Sequence, residues 1–249
     1  RCIEIARNRN IITIGVINVV DSLIAKEVDC GVYCNAGKEV GVASTKAFTS
    51  QVVCLSMMSI WFASLQNIND KKRSQMVRDL NNLPTDIRAT LDGCRDQMEE
   101  IAKKYTSNNM FILGKGSDEY IAKEGALKIK EISYIHTEGY SASSLKHGPF
   151  ALLDKHFPVI VLNLDATHRS KVINCCQEVA SRDSPMLVIT NDVTIEHELS
   201  CDKIVIPENK TYASLLGIIP LQLLAYYLSV NRGINPDKPK NLAKVVTVE

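Results

Sequence analysis

Three titratable residues recur at helical spacing in the segment Glu124-Gly-Ala-Leu-Lys-Ile-Lys-Glu-Ile-Ser133. At i, i+4 and i+7, Glu124, Lys128 and Glu131 fall on one face of a helix. Such a face is often only a solvated ladder of ion pairs. If it borders a cleft, it holds a carboxylate beside an ammonium group, an arrangement suited to moving protons. The residues that follow favour the second reading. Ser133-Tyr-Ile-His-Thr-Glu-Gly-Tyr140 leads to Leu145-Lys-His-Gly-Pro149. A Gly-Pro stop places His147 in a loop or helix end, where imidazole exchanges its proton near neutral pH. His136 lies in an aromatic cluster between helix and loop and is expected to be packed. Gly114-Lys-Gly-Ser117 could cradle an anion at a helix N-terminus, although glycine turns between strand and helix are common.

These residues need a scaffold, and the pattern of the chain supplies one. Short, nearly continuous apolar runs occur at 11–17, 31–34, 110–113, 159–164, 186–190 and 203–206. Runs of that kind suit strands buried on both faces. Helical periodicity fills 44–65, 71–105, 120–135, 169–181 and 212–231. The alternation predicts three-layer α/β architecture with parallel sheets.

An internal repeat sharpens this. The segment 2–10, Cys-Ile-Glu-Ile-Ala-Arg-Asn-Arg-Asn, is similar to 176–184, Cys-Gln-Glu-Val-Ala-Ser-Arg-Asp-Ser. An apolar strand, a short amphipathic piece, a second strand and a long helix follow in both copies. The offset of about 170–175 residues suits two homologous α/β domains in tandem. The second copy has two strand–helix units ahead of the matching part. The first copy is therefore expected to lack roughly 75–80 residues at its start, where a phosphate-binding turn would lie.

The 249 residues are 45% hydrophobic and 23% charged, which excludes disorder and low complexity. A net charge of +1 leaves no electrostatic footprint for nucleic acid or an acidic membrane. The 8 cysteines show no paired C-x-x-C spacing, so reduced core thiols are expected rather than a metal site or a disulfide framework. No uninterrupted apolar run reaches about 18 residues and no charged-then-apolar leader opens the sequence. A soluble, cytoplasmic protein without membrane contact is the expectation.

The C-terminal segment from Asn235 has two prolines that preclude a regular helix. Leu242, Val245, Val246 and Val248 indicate that this tail docks. Five separated stretches carry a resemblance: 41–49, Gly-Val-Ala-Ser-Thr-Lys-Ala-Phe-Thr; 124–133; 145–149; 219–224, Ile-Pro-Leu-Gln-Leu-Leu; and the terminal Asn-Leu-Ala-Lys with Val-Thr-Val-Glu. In this order they resemble the glutamine–fructose-6-phosphate aminotransferase family, in its isomerase part built of tandem sugar isomerase (SIS) domains. That family's separate glutaminase domain has no counterpart here, and Cys2 is expected in a SIS helix.

The resemblance implies flavodoxin-like SIS domains in tandem, the first incomplete. Residues 1–90 are then the C-terminal half of the first domain with a linking helix. Residues 91–234 form the second domain, and 235–249 a tail closing the sugar site. It also implies roles. Glu131 matches the proton-transfer glutamate, Lys244 the lysine forming a Schiff base with the open sugar, and His147 the ring-opening histidine supplied across a homodimer. Lys128 matches a further active-site lysine. Val42, Ser44 and Ala243 match positions lining the site of fructose 6-phosphate. No cofactor and no metal are implied. The chain departs from the family's pattern in three places. Ser143-Ser144 stand where Gly-Glu is usual, Val245 where Ser is usual, and Val19-Val20-Asp21 where a glycine is usual. A non-catalytic sugar-phosphate-binding or dimerisation module is the competing reading. A fructosamine-type deglycase is a third reading, disfavoured by the Asn-Leu-Ala-Lys tail. With the phosphate turn absent, the chain by itself is expected to turn over poorly.

Overall fold

The computed structural model describes residues 1–197 and 199–244. It separates into two units, Arg1–Arg78 and a second from Asp79 onward. The division at Arg78 falls inside a long helix that also contains residue 90.

The first unit runs α1 (Cys2–Asn8), β1 (Ile14–Ile17), α2 (Leu23–Glu27), β2 (Cys30–Tyr33) and α3 (Lys46–Leu65). β1 and β2 pair in parallel, with Ile14 opposite Cys30 and Ile17 opposite Tyr33. Ser22 caps α2 by accepting from the Ala25 N–H. The expectation that every strand is buried on both faces fails here: all four residues of β2 are exposed. Among the described residues β2 pairs with β1 alone, so its other edge and much of its faces meet solvent. Asp21 takes a left-handed φ of 61°, at the place where the family usually has glycine. Aspartate is one of the few non-glycine residues that tolerate this region.

α4 (Asp70–Lys104) carries the chain through the division. The second unit continues with β3 (Asn109–Gly114), α5 (Ser117–Ser133), β4 (His136–Ser141), β5 (Val159–Asn163), α6 (Arg169–Ala180), β6 (Met186–Thr190), β7 (Asp202–Val205) and α7 (Ala213–Asn231). Its five parallel strands lie in the order β4-β3-β5-β6-β7. β5 and β6 are buried along their whole length, as continuous aliphatic runs require. On one face Phe111, Leu113, Val159, Val161 and Val188 pack with Val172, Cys176 and Val179 of α6. The helices α5 and α7 pack on each other and reach β3 and β6 respectively.

The sequence reading missed β4, whose His-Thr-Glu-Gly-Tyr-Ser is polar. As an edge strand it needs little apolar surface, and Gly139 makes its position possible. A Cβ there would come within 2.5 Å of the Lys123 Cα on α5. His136 is also corrected: it is exposed at the start of β4, with its Nε2 3.6 Å from Glu138 Oε1. Edge placement turns its ring outward instead of into a core.

The expected reduced core thiols are found at Cys54, Cys94, Cys175 and Cys176, whereas Cys2 and Cys30 are exposed. Burial raises the Cys94 thiol to about 11 and the Cys175 thiol to about 12. α3 and α7 are long and apolar enough to cross a membrane by length and composition, a span the short apolar runs did not suggest. In α7 67% of that stretch is buried in the second unit, which suits a core helix; in α3 the share is 6%.

The two halves of the internal repeat adopt elements in matching order. α1, β1, α2, β2 and α3 correspond to α6, β6, the 3-10 turn Val193–His197, β7 and α7.

Candidate active site

α5 builds the centre of the site. Its face from Glu124 to Glu131 is a three-residue ion cluster. Lys128 Nζ lies 3.5 Å from Glu124 Oε1 and 2.8 Å from Glu131 Oε2. The Lys128 side chain is 4% exposed, whereas the two glutamates keep 17% and 22%. This is not the solvated ladder that the bare spacing allowed. A buried ammonium needs compensating charge, and two carboxylates supply it. Glu131 Oε2 is itself buried and accepts no aligned hydrogen bond. The ammonium therefore holds that oxygen by charge, and the solvent-reachable part of the side chain excludes it.

The end of α5 ties this cluster to the C-terminal segment. Tyr134 stops the helix with a left-handed φ of 60°. Its phenol oxygen accepts the Lys240 N–H at 2.6 Å, and the Lys240 ammonium sits 4.5 Å from the ring centroid. Asn235 orders the approach by accepting the Asp237 N–H at 2.9 Å. Pro239 is buried. The tail is thus docked through Lys240, while Leu242, Ala243 and Lys244 are exposed. Val245, Val246 and Val248 lie outside the described residues. Lys244 follows Lys240 by four residues, a reach of at most about 14 Å.

His147 ends a 3-10 turn, Ser144–His147, and is exposed; Gly148 follows at φ 131° and Pro149 opens the next turn. This is the loop-end placement the Gly-Pro signal predicted. Val42 and Ser44 are half-buried in the loop between β2 and α3 of the first unit. Two side chains that sequence reasoning missed shape that loop. Asn18 accepts the Ala36 N–H at 2.9 Å and donates to the Gly37 carbonyl at 2.9 Å. Glu39 Oε1 accepts the N–H groups of Thr45 at 2.9 Å and Ala47 at 3.3 Å, closing the N-terminus of α3. An acidic residue just ahead of a helix was the available signal for Glu39.

The glycine turn 114–117 leads into α5, whose second residue, Asp118, is buried. The Asp118 carboxylate occupies the place where β3 and β5 diverge. It accepts the Leu164 N–H at 2.9 Å, the Asp165 N–H at 3.1 Å and the Ser214 hydroxyl at 2.6 Å. Burial raises the Asp118 carboxyl above the ordinary range, against the pull of these three donors. In a doubly wound sheet this switch point is where ligands enter. In the second unit the protein fills it with its own carboxylate.

The SIS domain profile matches residues 1–60 and 105–232. The chain belongs to the SIS domain family. It is 42% identical over 250 residues to a glutamine–fructose-6-phosphate aminotransferase (isomerizing) of Chlorobaculum tepidum, covering 99% of this chain and 41% of that protein. Similarity to the human glutamine–fructose-6-phosphate aminotransferase (isomerizing) 2 is 41% over 250 residues, covering 98% of this chain and 36% of the relative. This SIS chain therefore spans about two-fifths of the length of the curated relatives it matches. The solved C-terminal domain of glucosamine-fructose-6-phosphate aminotransferase from Francisella tularensis superposes with a TM-score of 0.90 at 30% identity. That superposition covers 95% of this chain and 68% of the other. The parallel-sheet α/β architecture and the kinship with isomerase-part SIS domains are thereby shown.

Proposed function

We propose that this SIS chain is the ketose/aldose isomerase part of an enzyme making glucosamine 6-phosphate from fructose 6-phosphate and glutamine. The observation that carries the reading is the end of α5. There a carboxylate beside a buried ammonium lies one turn ahead of the residue that fastens the Lys244 tail. In this reading His147, acting across a homodimer interface, opens the sugar ring. The Lys244 amine adds to the C2 carbonyl and water leaves, giving a Schiff base. Ammonia released from glutamine then displaces the Lys244 amine from C2, and Glu131 takes a proton from C1 and returns it at C2, leaving the aldehyde at C1 and the amino group at C2. Lys128 fixes one oxygen of Glu131, which restricts the rotation of the carboxylate that performs the transfer. Val42, Ser44 and Ala243 line the sugar. The division into residues 1–90, 91–234 and the tail 235–249, and a cytoplasmic location, belong to the same proposal.

The named relatives are enzymes, so the alternative of a non-catalytic binding or dimerisation module is not favoured. Borohydride reduction in the presence of labelled fructose 6-phosphate tests the assignment. Label is expected on Lys244, and Lys244→Ala abolishes it. Label on another lysine overturns the reading. So does the absence of label when the chain is joined to the half-domain that precedes the match in a relative.

A further inference from the structure

α3 begins without a cap of its own. Thr45 stands at the cap position, but its side chain makes no capping hydrogen bond and no acidic residue lies in the first turn. The acceptor comes instead from six residues upstream. Glu39 Oε1 takes the N–H groups of Thr45 at 2.9 Å and Ala47 at 3.3 Å. A second link crosses the first, from the Lys46 ammonium to the Lys38 carbonyl at 2.9 Å. Residues 40–44 therefore form a short arch whose two feet, 38–39 and 45–47, are fastened to each other. Behind it, Asn18 at the end of β1 holds Ala36 and Gly37. Within the arch Val40 is exposed, whereas 41–44 are half-buried.

Fastening the feet of so short an arch leaves few conformations to the residues between them. A carboxylate suits the task. Hydrogen bonds from N–H groups to a charged acceptor are the strong ones, and a helix N-terminus attracts negative charge. We propose that Glu39 is a positioning residue for the sugar. Its carboxylate presets the backbone of 41–44, so that a ligand meets a formed surface and does not have to order one. The inference rests on the proposed function, in which Val42 and Ser44 line the sugar. Glu39 acts through the backbone of these neighbours. Its removal transfers the ordering of the arch to the binding step, so the effect falls on the sugar concentration required. The oxygen at the Oε1 position matters most, because it alone accepts both N–H groups.

The test compares Glu39→Gln, Glu39→Asp and Glu39→Ala in the full chain. Glutamine keeps an oxygen acceptor and drops the charge, aspartate keeps the charge on a shorter side chain, and alanine drops both. Amide hydrogen exchange of 41–47 is expected to quicken about tenfold in Glu39→Ala and less in Glu39→Gln. Exchange in β5 and β6 stays as in the wild type. Unchanged exchange of 41–47 in Glu39→Ala overturns the fastening. The second readout is the fructose 6-phosphate concentration that half-saturates borohydride labelling of Lys244. It is measured on the chain joined to the half-domain that precedes the match in a relative. That concentration is expected to rise about tenfold in Glu39→Ala, more than the plateau of label falls, and to recover most of the way in Glu39→Gln. A loosened arch with unchanged half-saturation overturns the positioning role and leaves the proposed function standing. Absence of label from the unsubstituted chain overturns both. If Glu39→Ala does not fold, Glu39→Asp, too short to reach both N–H groups, carries the same two readouts.

Discussion

The backbone N–H of Lys240 donates to the Tyr134 hydroxyl at 2.6 Å, so the residue that ends α5 also anchors the C-terminal segment. Without that bond the tail loses its polar fastening, while its ammonium still meets the ring. Tyr134→Phe is expected to remove about 1 kcal/mol of local stability. Exchange of amides 240–244 should quicken, with the melting temperature of the domain scarcely moved. Tyr134→Ala removes the ring contact as well and should release the segment further. Unchanged exchange in both variants would show that Pro239 alone holds it.

The Lys128 cluster separates a structural role from a chemical one. Lys128→Met leaves two carboxylates facing each other around an apolar side chain. A loss of about 3–5 kcal/mol in urea unfolding is expected, as for removal of one partner from a buried ion pair. Glu131→Gln keeps the shape and leaves Lys128 paired with Glu124. It should cost about 1 kcal/mol of stability and, under the proposed function, lower isomerisation about 10²–10⁴-fold. A variant that unfolds but does not slow chemistry would assign Glu131 to structure.

Asp118 holds together three elements: α5, the turn after β5 and the start of α7. Asp118→Ala leaves the Leu164 and Asp165 N–H groups without their acceptor, and a loss of about 2 kcal/mol or more is expected. Asp118→Asn retains an acceptor and removes the charge that burial opposes, so it should cost less. The ordering of the two variants in chemical denaturation checks the assignment; equal losses would contradict it.

Asp192 gives a pH dependence of known sign. Thr194 and the Arg169 guanidinium, whose Nε lies 2.5 Å away, hold its carboxyl below the ordinary range. The unfolded carboxylate titrates near about 3.9. The stabilisation is therefore complete above that pH and is lost as pH falls through the depressed folded value. Stability measured from pH 6 down to pH 2 should drop less steeply in Asp192→Asn than in the wild type. Parallel curves would remove the ion pair from the acid-unfolding balance.

Much of this was legible in local pattern. The aliphatic runs 159–164 and 186–190 became β5 and β6 because only strands covered on both faces accommodate such continuity. The i, i+4, i+7 spacing placed Glu124, Lys128 and Glu131 on one side of α5 because helical geometry repeats every 3.6 residues. The stop at Gly148-Pro149 located His147 at a turn end for an equally local reason. What the spacing could not decide was burial: the same three residues in water would be an ordinary ladder.

Only the tertiary structure closed Lys128 off from solvent, because that depends on elements distant in sequence. It alone turned polar 136–141 into an edge strand, since Gly139 allows α5 to approach. It also showed that Asp118 fills the second unit's switch point, where the glycine turn had suggested an anion. Hydrogen bonds between positions nearly 50 or 100 residues apart, such as Asp118 to Leu164 and to Ser214, leave no periodic trace. The amino-acid sequence by itself determined every strand of the second unit but β4, the family and the candidate residues, since those follow from short-range pattern. Chain folding decided which charges lost their water, and with that which carboxylate is held in place.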